Sequence, residues 1–254
     1  MIRRQWQSAC SFLHGVLVLD AVDILKKVKA KYLSLKTYSD EGTETTPGQP
    51  ALEFKTWFVS PKKFRFEWGD AASADSVENS VQAAVWSDGV TCHEQFLESR
   101  RANTVEDSIA ACAGMSGGSI LMVLNLLMPG VVQVNKFWLD MKNPVLKDSC
   151  TVNGFDCHYI VGDSESAGDT EVWIACDSLL VQRINEKMII STEQAQSIRA
   201  EAVIALEAMG VVADSPVMKE ALAGFPVKEY TFVKSFSFKN IVVDAPIAEN
   251  IFAP

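Results

Sequence analysis

Long apolar runs are missing from this chain: none approaches the roughly 20 residues that a membrane-spanning helix needs, which argues against an integral membrane protein. Positive charge is also in short supply. With 23 Lys and Arg against 32 Asp and Glu, the formal net charge is -9, and a protein that tracks nucleic-acid phosphates draws most of its affinity from a basic surface; no nucleic-acid partner is expected. Only three histidines are present, and the six cysteines form no C-x-x-C, so a zinc ribbon or thioredoxin-type motif has no support. Cys92-His93 and Cys157-His158 are adjacent in sequence, and neighbours on a strand point to opposite faces, so neither pair chelates. Ser116-Gly-Gly-Ser119 lacks the lysine and the preceding strand of a phosphate loop. The expectation is therefore no metal and no cofactor.

Low-complexity linkers and internal repeats are absent too, so residues 20–254 read as one domain, preceded by an arm, 1–19. In that arm, two arginines precede an apolar stretch that His14 and Gly15 interrupt. It reads either as an eroded or mis-started export signal or as a disordered or docking arm, and Cys10 precedes the apolar run where a lipidation cysteine would follow it.

What is present is periodicity. Between Asp20 and Leu35, Ile24, Leu25, Val28, Tyr32 and Leu35 recur at helical spacing with lysines between them, predicting an amphipathic helix with one buried stripe. Thr37 onward, Leu52–Val59, Phe64–Trp68, Ala83–Trp86 and Val90–Phe96 read as strands, separated by Gly, Pro and Ser-Asp-Gly punctuation. They leave no room for helical crossovers, so the sheet is antiparallel. Thr104 predicts a helix start, with a helix running through Cys112 to Gly114. Ser116 then reads as the cap of a second, apolar helix, Ser119–Met128, ended by Pro129-Gly130. Strands are expected again over Phe137–Met141, from Cys150 through Val161, Glu171–Ala175 and Leu179–Asn185; after a helix at Gln194–Met209 come Tyr230–Phe238 and Asn240–Val243. The fold class is α+β: a strongly curved antiparallel sheet, an unclosed β-barrel, with helices on its concave face as a lid and an apolar space between.

Within that frame, Phe64-Arg-Phe-Glu-Trp68 alternates strictly, so Phe64, Phe66 and Trp68 share one face while Arg65 and Glu67 take the other. This removes the interleaved aromatic and basic surface that single-stranded nucleic acid prefers. Trp57, Phe64, Phe66, Trp68 and Trp86, with Leu121, Leu124 and Met128 of the apolar helix, are the expected ligand-binding wall. Asn153-Gly154 marks a two-residue hairpin turn, and counting outward places Cys150 opposite Cys157, at a distance a disulfide can span. Two free thiols are the alternative. Gly114-Met-Ser116-Gly-Gly118 matches the G-x-S-x-G pattern of a hydrolase nucleophile elbow, with His158 and Asp140, Asp148 or Asp156 as triad partners. That elbow needs a strand before the serine, and the preceding segment reads as helix.

Trp57-Phe-Val-Ser-Pro61, Phe64-Arg-Phe-Glu-Trp68 and Val85-Trp-Ser-Asp-Gly89-Val-Thr91 together resemble the motif series of the LolA-type outer-membrane lipoprotein-sorting carriers. The helix Asp20–Leu35 is similar to the family's opening helix, Glu171-Val-Trp-Ile174 with Leu180 and Arg183-Ile184 to its later strand pair, and Pro246–Phe252 to its closing segment. The resemblance implies a periplasmic, monomeric, non-enzymatic carrier that shelters the acyl chains of a lipoprotein or another lipid, and that meets membrane-associated donor and acceptor proteins. Where the sorting carrier has arginine before the motif proline, this chain has Ser60; Ser60 is accordingly the candidate gate position. Two other classes stand beside the carrier: a serine hydrolase using Ser116, and an interaction module with a packed interior and no ligand cavity.

Overall fold

A computed structural model of the chain describes residues 20–71, 83–95, 104–131, 138–164, 168–208, 210–213, 215–223 and 227–253. The arm 1–19, Cys10, Phe96, Phe137 and Met209 lie outside these. Helix α1 (Ala21–Ser34) begins where Asp20 Oδ1 accepts a hydrogen bond from the Asp23 N–H at 2.7 Å, satisfying one of the free donors of the first turn. Its Ile24, Leu25, Val28 and Tyr32 are buried as the spacing predicts.

Five strands follow in a meander: β1 (Thr37–Thr45), β2 (Leu52–Val59), β3 (Lys63–Asp70), β4 (Ala83–Asp88) and β5 (Cys92–Gln95). Two helices, α2 (Val105–Met115) and α3 (Ser119–Leu127), lead to a second meander of β6 (Lys142–Val152), β7 (Phe155–Ser164), β8 (Gly168–Ala175), β9 (Val181–Ile190) and β10 (Tyr230–Val243). Between β9 and β10 sits a helical arm, α4 (Thr192–Ala208) and α5 (Pro216–Leu222), and a 3-10 turn, Glu249–Phe252, ends the described chain. All ten strands form one antiparallel sheet in the order β5-β4-β3-β2-β1-β10-β9-β8-β7-β6. Strand β10 returns to pair with β1 and joins the meanders, while β5 and β6 are left as edges, so the sheet does not close into a barrel. The α+β class with an unclosed sheet and helices on one face is what the sequence implied.

Several local expectations change. Trp138–Asp140 is a 3-10 turn, not a strand, because Trp138, 1% exposed, drops its ring into the core just before β6 starts. Tyr230–Val243 is one strand, its irregularity taken up opposite Ser39 and Glu41 where Asn240 adopts a positive φ of 54°. Helix α5 was not foreseen, although Ser215 caps it through the Met218 N–H and Pro216 opens it. Ser116 does not cap α3. It closes α2, and Gly118, at φ 85°, stands at the α3 N-terminus.

Candidate functional site: the helix-covered face of the sheet

Strand register decides which side chains meet α1–α3. Thr56 faces Phe66, Phe58 faces Phe64 and Phe54 faces Trp68 across β2 and β3, so these six side chains share one face and all are buried. Phe66 and Trp68 pair with Val85 and Ala83 of β4, and Phe236 and Phe238 of β10 continue the row beyond β1. Phe54 is the keystone: its ring stacks on Phe66 at 5.7 Å and meets Phe238 edge-on at 5.8 Å. It does so by lying across Gly42, where an added Cβ would fall 2.1 Å from the Phe54 ring. Glycine in mid-strand weakens a sheet, and here the facing aromatic occupies the gap it leaves.

Above this floor lies α3, Ser119–Leu127, with Ile120, Met122, Val123, Leu124, Leu126 and Leu127 buried. The expected wall residues Phe64, Phe66 and Trp68 are on the floor, Leu124 and Met128 are buried on the lid, and Leu121 is half-buried. Trp57 and Trp86 are elsewhere. Each pairs with Arg65 across the ladder, and Arg65 points away from Phe64 and Phe66, so both tryptophans belong to the outer face. Neither is part of the buried apolar cluster. The aromatic density of the segment hid this, although alternation along Leu52–Val59 separates Phe54 and Phe58 from Trp57. Phe54, Phe58, Phe236 and Phe238 are the floor residues that the sequence reading passed over.

Among the described residues of floor and lid, Phe58, Phe64, Phe66, Ile120 and Leu124 are 0–1% exposed, so these five side chains are closely covered.

A polar seam crosses this apolar interior along β1, whose buried side chains are Tyr38, Asp40 and Glu44. The Tyr38 hydroxyl donates to Asp40 Oδ2 at 2.7 Å, and the Tyr32 hydroxyl of α1 accepts from the Val181 N–H of β9 at 3.1 Å. Burial pushes the Asp40 carboxyl up to about 6, against the lowering influence of Thr56 and Tyr38. Asp40 Oδ1, the Thr56 hydroxyl and both amide atoms of Asn125 on α3 are buried without hydrogen-bond partners, which is uncommon in a folded interior. The α2–α3 turn is tied down where the Lys234 ammonium donates to the Gly117 carbonyl at 3.0 Å. Glu44 lies against Gly117, and burial raises the carboxyl of Glu186, with Lys234 pulling the other way.

The other sequence candidates fall as follows. Ser116 is 0% exposed, and its hydroxyl donates to the Ala113 carbonyl at 3.3 Å. It sits between two helices, without the strand an elbow requires. Ser60 is exposed at the β2–β3 turn, its N–H bonded to the Lys36 carbonyl at 2.9 Å, and the Ser60–Pro61 bond is cis. Cys150 and Cys157 face each other in the β6–β7 ladder, and both thiols are free. Among the described residues, no cluster of His, Cys, Asp and Glu could hold a metal ion, and no helix is long and apolar enough to cross a membrane.

No protein-family model matches the chain. No curated protein matches it either. Among solved structures it is similar to a chain of the Pseudomonas aeruginosa MucA/MucB complex, at 10% identity and TM-score 0.46 over 92% of this chain and 60% of that one. The chain thus spans about 60% of the length of the MucB structures it matches. It is similar to LprF from Mycobacterium bovis, at 9% identity and TM-score 0.44 over 90% and 94% of the two chains. A LolA superfamily protein from Nitrosomonas europaea is a further neighbour, at 7% identity and TM-score 0.33 over 93% and 98%. At TM-scores below 0.5 and identities of 10% or less these likenesses assign neither a family nor an activity.

Proposed function

We propose that this protein is a non-enzymatic, periplasmic carrier or binding protein for a hydrophobic ligand, with the acyl chains of a lipoprotein or lipid as the cargo class. One observation carries the reading: α3 is apolar on nearly every side, rests on an aromatic floor, and is joined to its neighbours by a glycine-rich turn held to the sheet by Lys234. A helix of that kind is stable only when covered. If it swings away, the floor of Phe54, Phe58, Phe64 and Phe66 is offered to another apolar body. Each acyl CH₂ taken from water contributes about 0.8 kcal/mol, so a chain of fatty-acid length offsets the lost contacts of a displaced lid. Residues 20–254 act as a single unit in this reading. Donor and acceptor proteins at the membrane follow from it as partners.

The test is titration of delipidated protein with a fluorescent long-chain fatty acid, together with native mass spectrometry of protein as purified. Saturable binding with one ligand per chain is expected, as is tighter binding by Lys234→Met, which releases the turn. The close burial of Phe58, Phe64, Phe66, Ile120 and Leu124 supports a second reading, a packed interaction module. Absence of any bound lipid, no quenching of the fatty acid, and amide exchange in α3 as slow as in β2 would establish that reading in place of the first. Labelling of Ser116 by a fluorophosphonate would reinstate hydrolysis; none is expected for a buried hydroxyl.

A further inference from the structure

The outer face of the sheet carries two ladders of aromatic and cationic side chains, one on each meander. On the first, Ser39, Trp57, Arg65, Trp86 and His93 are successive cross-strand neighbours from β1 to β5. The Arg65 guanidinium lies 4.9 Å over the Trp86 ring, which stacks on His93 at 5.2 Å. On the second, Lys147, Tyr159, Trp173 and Arg183 are successive neighbours from β6 to β9. Here Tyr159 stacks on Trp173 at 4.8 Å and Arg183 lies 5.6 Å over Trp173. In both ladders the residue two positions further along the strand holds the arginine Nε: Glu67 for Arg65, at 2.6 Å, and Asn185 for Arg183, at 3.2 Å.

The two differ in what covers them. The chain's own C-terminal 3-10 turn lies on the first: Glu249 accepts from the Lys63 ammonium at 2.6 Å, Phe252 sits under the same ammonium at 5.4 Å, and the Ile251 carbonyl accepts from Arg65 at 3.3 Å. Phe252 and Trp86 are thereby 4% and 5% exposed. The second ladder has no such cover among the described residues. Lys147 and Arg183 are exposed, Tyr159 and Trp173 half-exposed. Of the acids on this face, Glu171 has both oxygens engaged by Tyr159 and Asn185, and Asp169 pairs with Lys187 at 3.5 Å. Beside Lys147 and Tyr159 an open hollow of about 560 Å³ runs along edge strand β6, lined also by Val145, Leu146, Asp148, Ser149 and Cys150.

We propose that the second ladder and its hollow are a docking site for a peptide segment of a partner protein, one that places an acidic side chain about one turn from an aromatic or aliphatic side chain. The first ladder, with Lys63 beside it, shows what such a surface accepts: a carboxylate and an aromatic ring on the lysine and a backbone carbonyl on the guanidinium. The second presents a cation at each end and a stacked aromatic pair between them, beside a hollow with room for an apolar side chain. Cation–π pairs and stacked aromatics with arginine are the side chains that most often carry an interface.

The probe is a synthetic peptide, Pro-Ile-Ala-Glu-Asn-Ile-Phe-Ala, matching residues 246–253, titrated into the full chain and followed by calorimetry and by the indole N–H resonance of Trp173. Binding that Trp173→Ala and Arg183→Glu each weaken about tenfold or more is the expected result. Exchanging the peptide's Glu for Lys should restore affinity for Arg183→Glu while lowering it for the unaltered protein. Thermal melts confirm that each variant is folded, and Lys147→Glu, at an exposed edge position, supplies a charge test with little risk to the fold. Equal binding to all three variants overturns the proposal. So does binding lost only in Lys63→Glu, which would mean the peptide merely displaces the chain's own tail. Concentration-dependent dimerisation abolished by Phe252→Ala would assign the ladder to a second copy instead of a partner.

Discussion

Asp40 is the residue at which fold and electrostatics conflict most openly. It is buried beside Tyr38 in an apolar interior, and its carboxyl is pushed up to about 6 by that burial. An acid whose folded value exceeds its unfolded one, 3.8, binds its proton more tightly when folded, so its contribution to stability falls as pH rises from about 4 to about 6 and stays low above that. The gap corresponds to on the order of 3 kcal/mol. Asp40→Asn keeps an acceptor for Tyr38 and carries no charge. It should therefore be more stable than the unaltered chain at pH 7.5 and show little advantage at pH 4.5, measured by urea midpoints at both values. An identical pH dependence in the two proteins would refute the assignment. Cys150 and Cys157 make the second residue-scale prediction: they oppose each other across the β6–β7 ladder, so protein isolated from an oxidising compartment should yield a Cys150–Cys157 peptide in non-reducing mass mapping. Recovery of both as alkylated thiols would count against it. Cys157 is a poor nucleophile as a thiol, its value pushed up to about 11 by burial, so an external disulfide is more readily attacked by the exposed Cys150.

Among the elements, α3 carries the functional proposal. Its apolar run was legible from Ser119–Met128, as were its end at Pro129-Gly130 and the need for cover on several sides. What it packs against was not, because β1 and β10, over two hundred residues apart in sequence at some of their paired positions, come together only in the sheet. Leu124, 0% exposed, should cost about 2–5 kcal/mol when cut to alanine. The loss should appear both as a lower urea midpoint and as faster amide exchange confined first to α2 and α3. Exchange that quickens uniformly through β1–β3 as well would mean that the lid does not open separately from the sheet. The α4–α5 arm follows a different logic. Ser191 and Gln194 bond reciprocally as a capping box, at 3.2 and 2.9 Å, a local signal that needs no tertiary partner. Ile198 and Ile204 remain exposed on it.

At the scale of the whole molecule, the joint between meanders is β10 on β1. Phe236 and Phe238 are both 0% exposed there, and Phe238 meets Phe54 of the first meander directly. Phe238→Ala should lower stability by about 3–5 kcal/mol. Unfolding of the unaltered chain should proceed in one transition, with tryptophan fluorescence and far-ultraviolet circular dichroism coinciding. Two separated transitions would mean that the meanders fold independently and that residues 20–254 are not one unit.

The sequence by itself determined whatever depends on neighbours along the chain. It placed the α1 stripe, the Thr104 cap, the hairpin at Asn153-Gly154 that sets Cys150 against Cys157, and the separation of Phe64, Phe66 and Trp68 from Arg65 and Glu67, because period, cap and turn chemistry are local. The tertiary structure decided what depends on partners far away. It sent Trp57 and Trp86 to the outer face through their shared register with Arg65, made Gly42 the slot for Phe54, and buried Ser116 in the turn between α2 and α3. It also brought Phe58, Phe64 and Phe66 of the floor and Ile120 and Leu124 of the lid to 0–1% exposure. Composition can show that floor and lid are both apolar, but only packing fixes how close they come, since the same residues that attract a ligand attract each other.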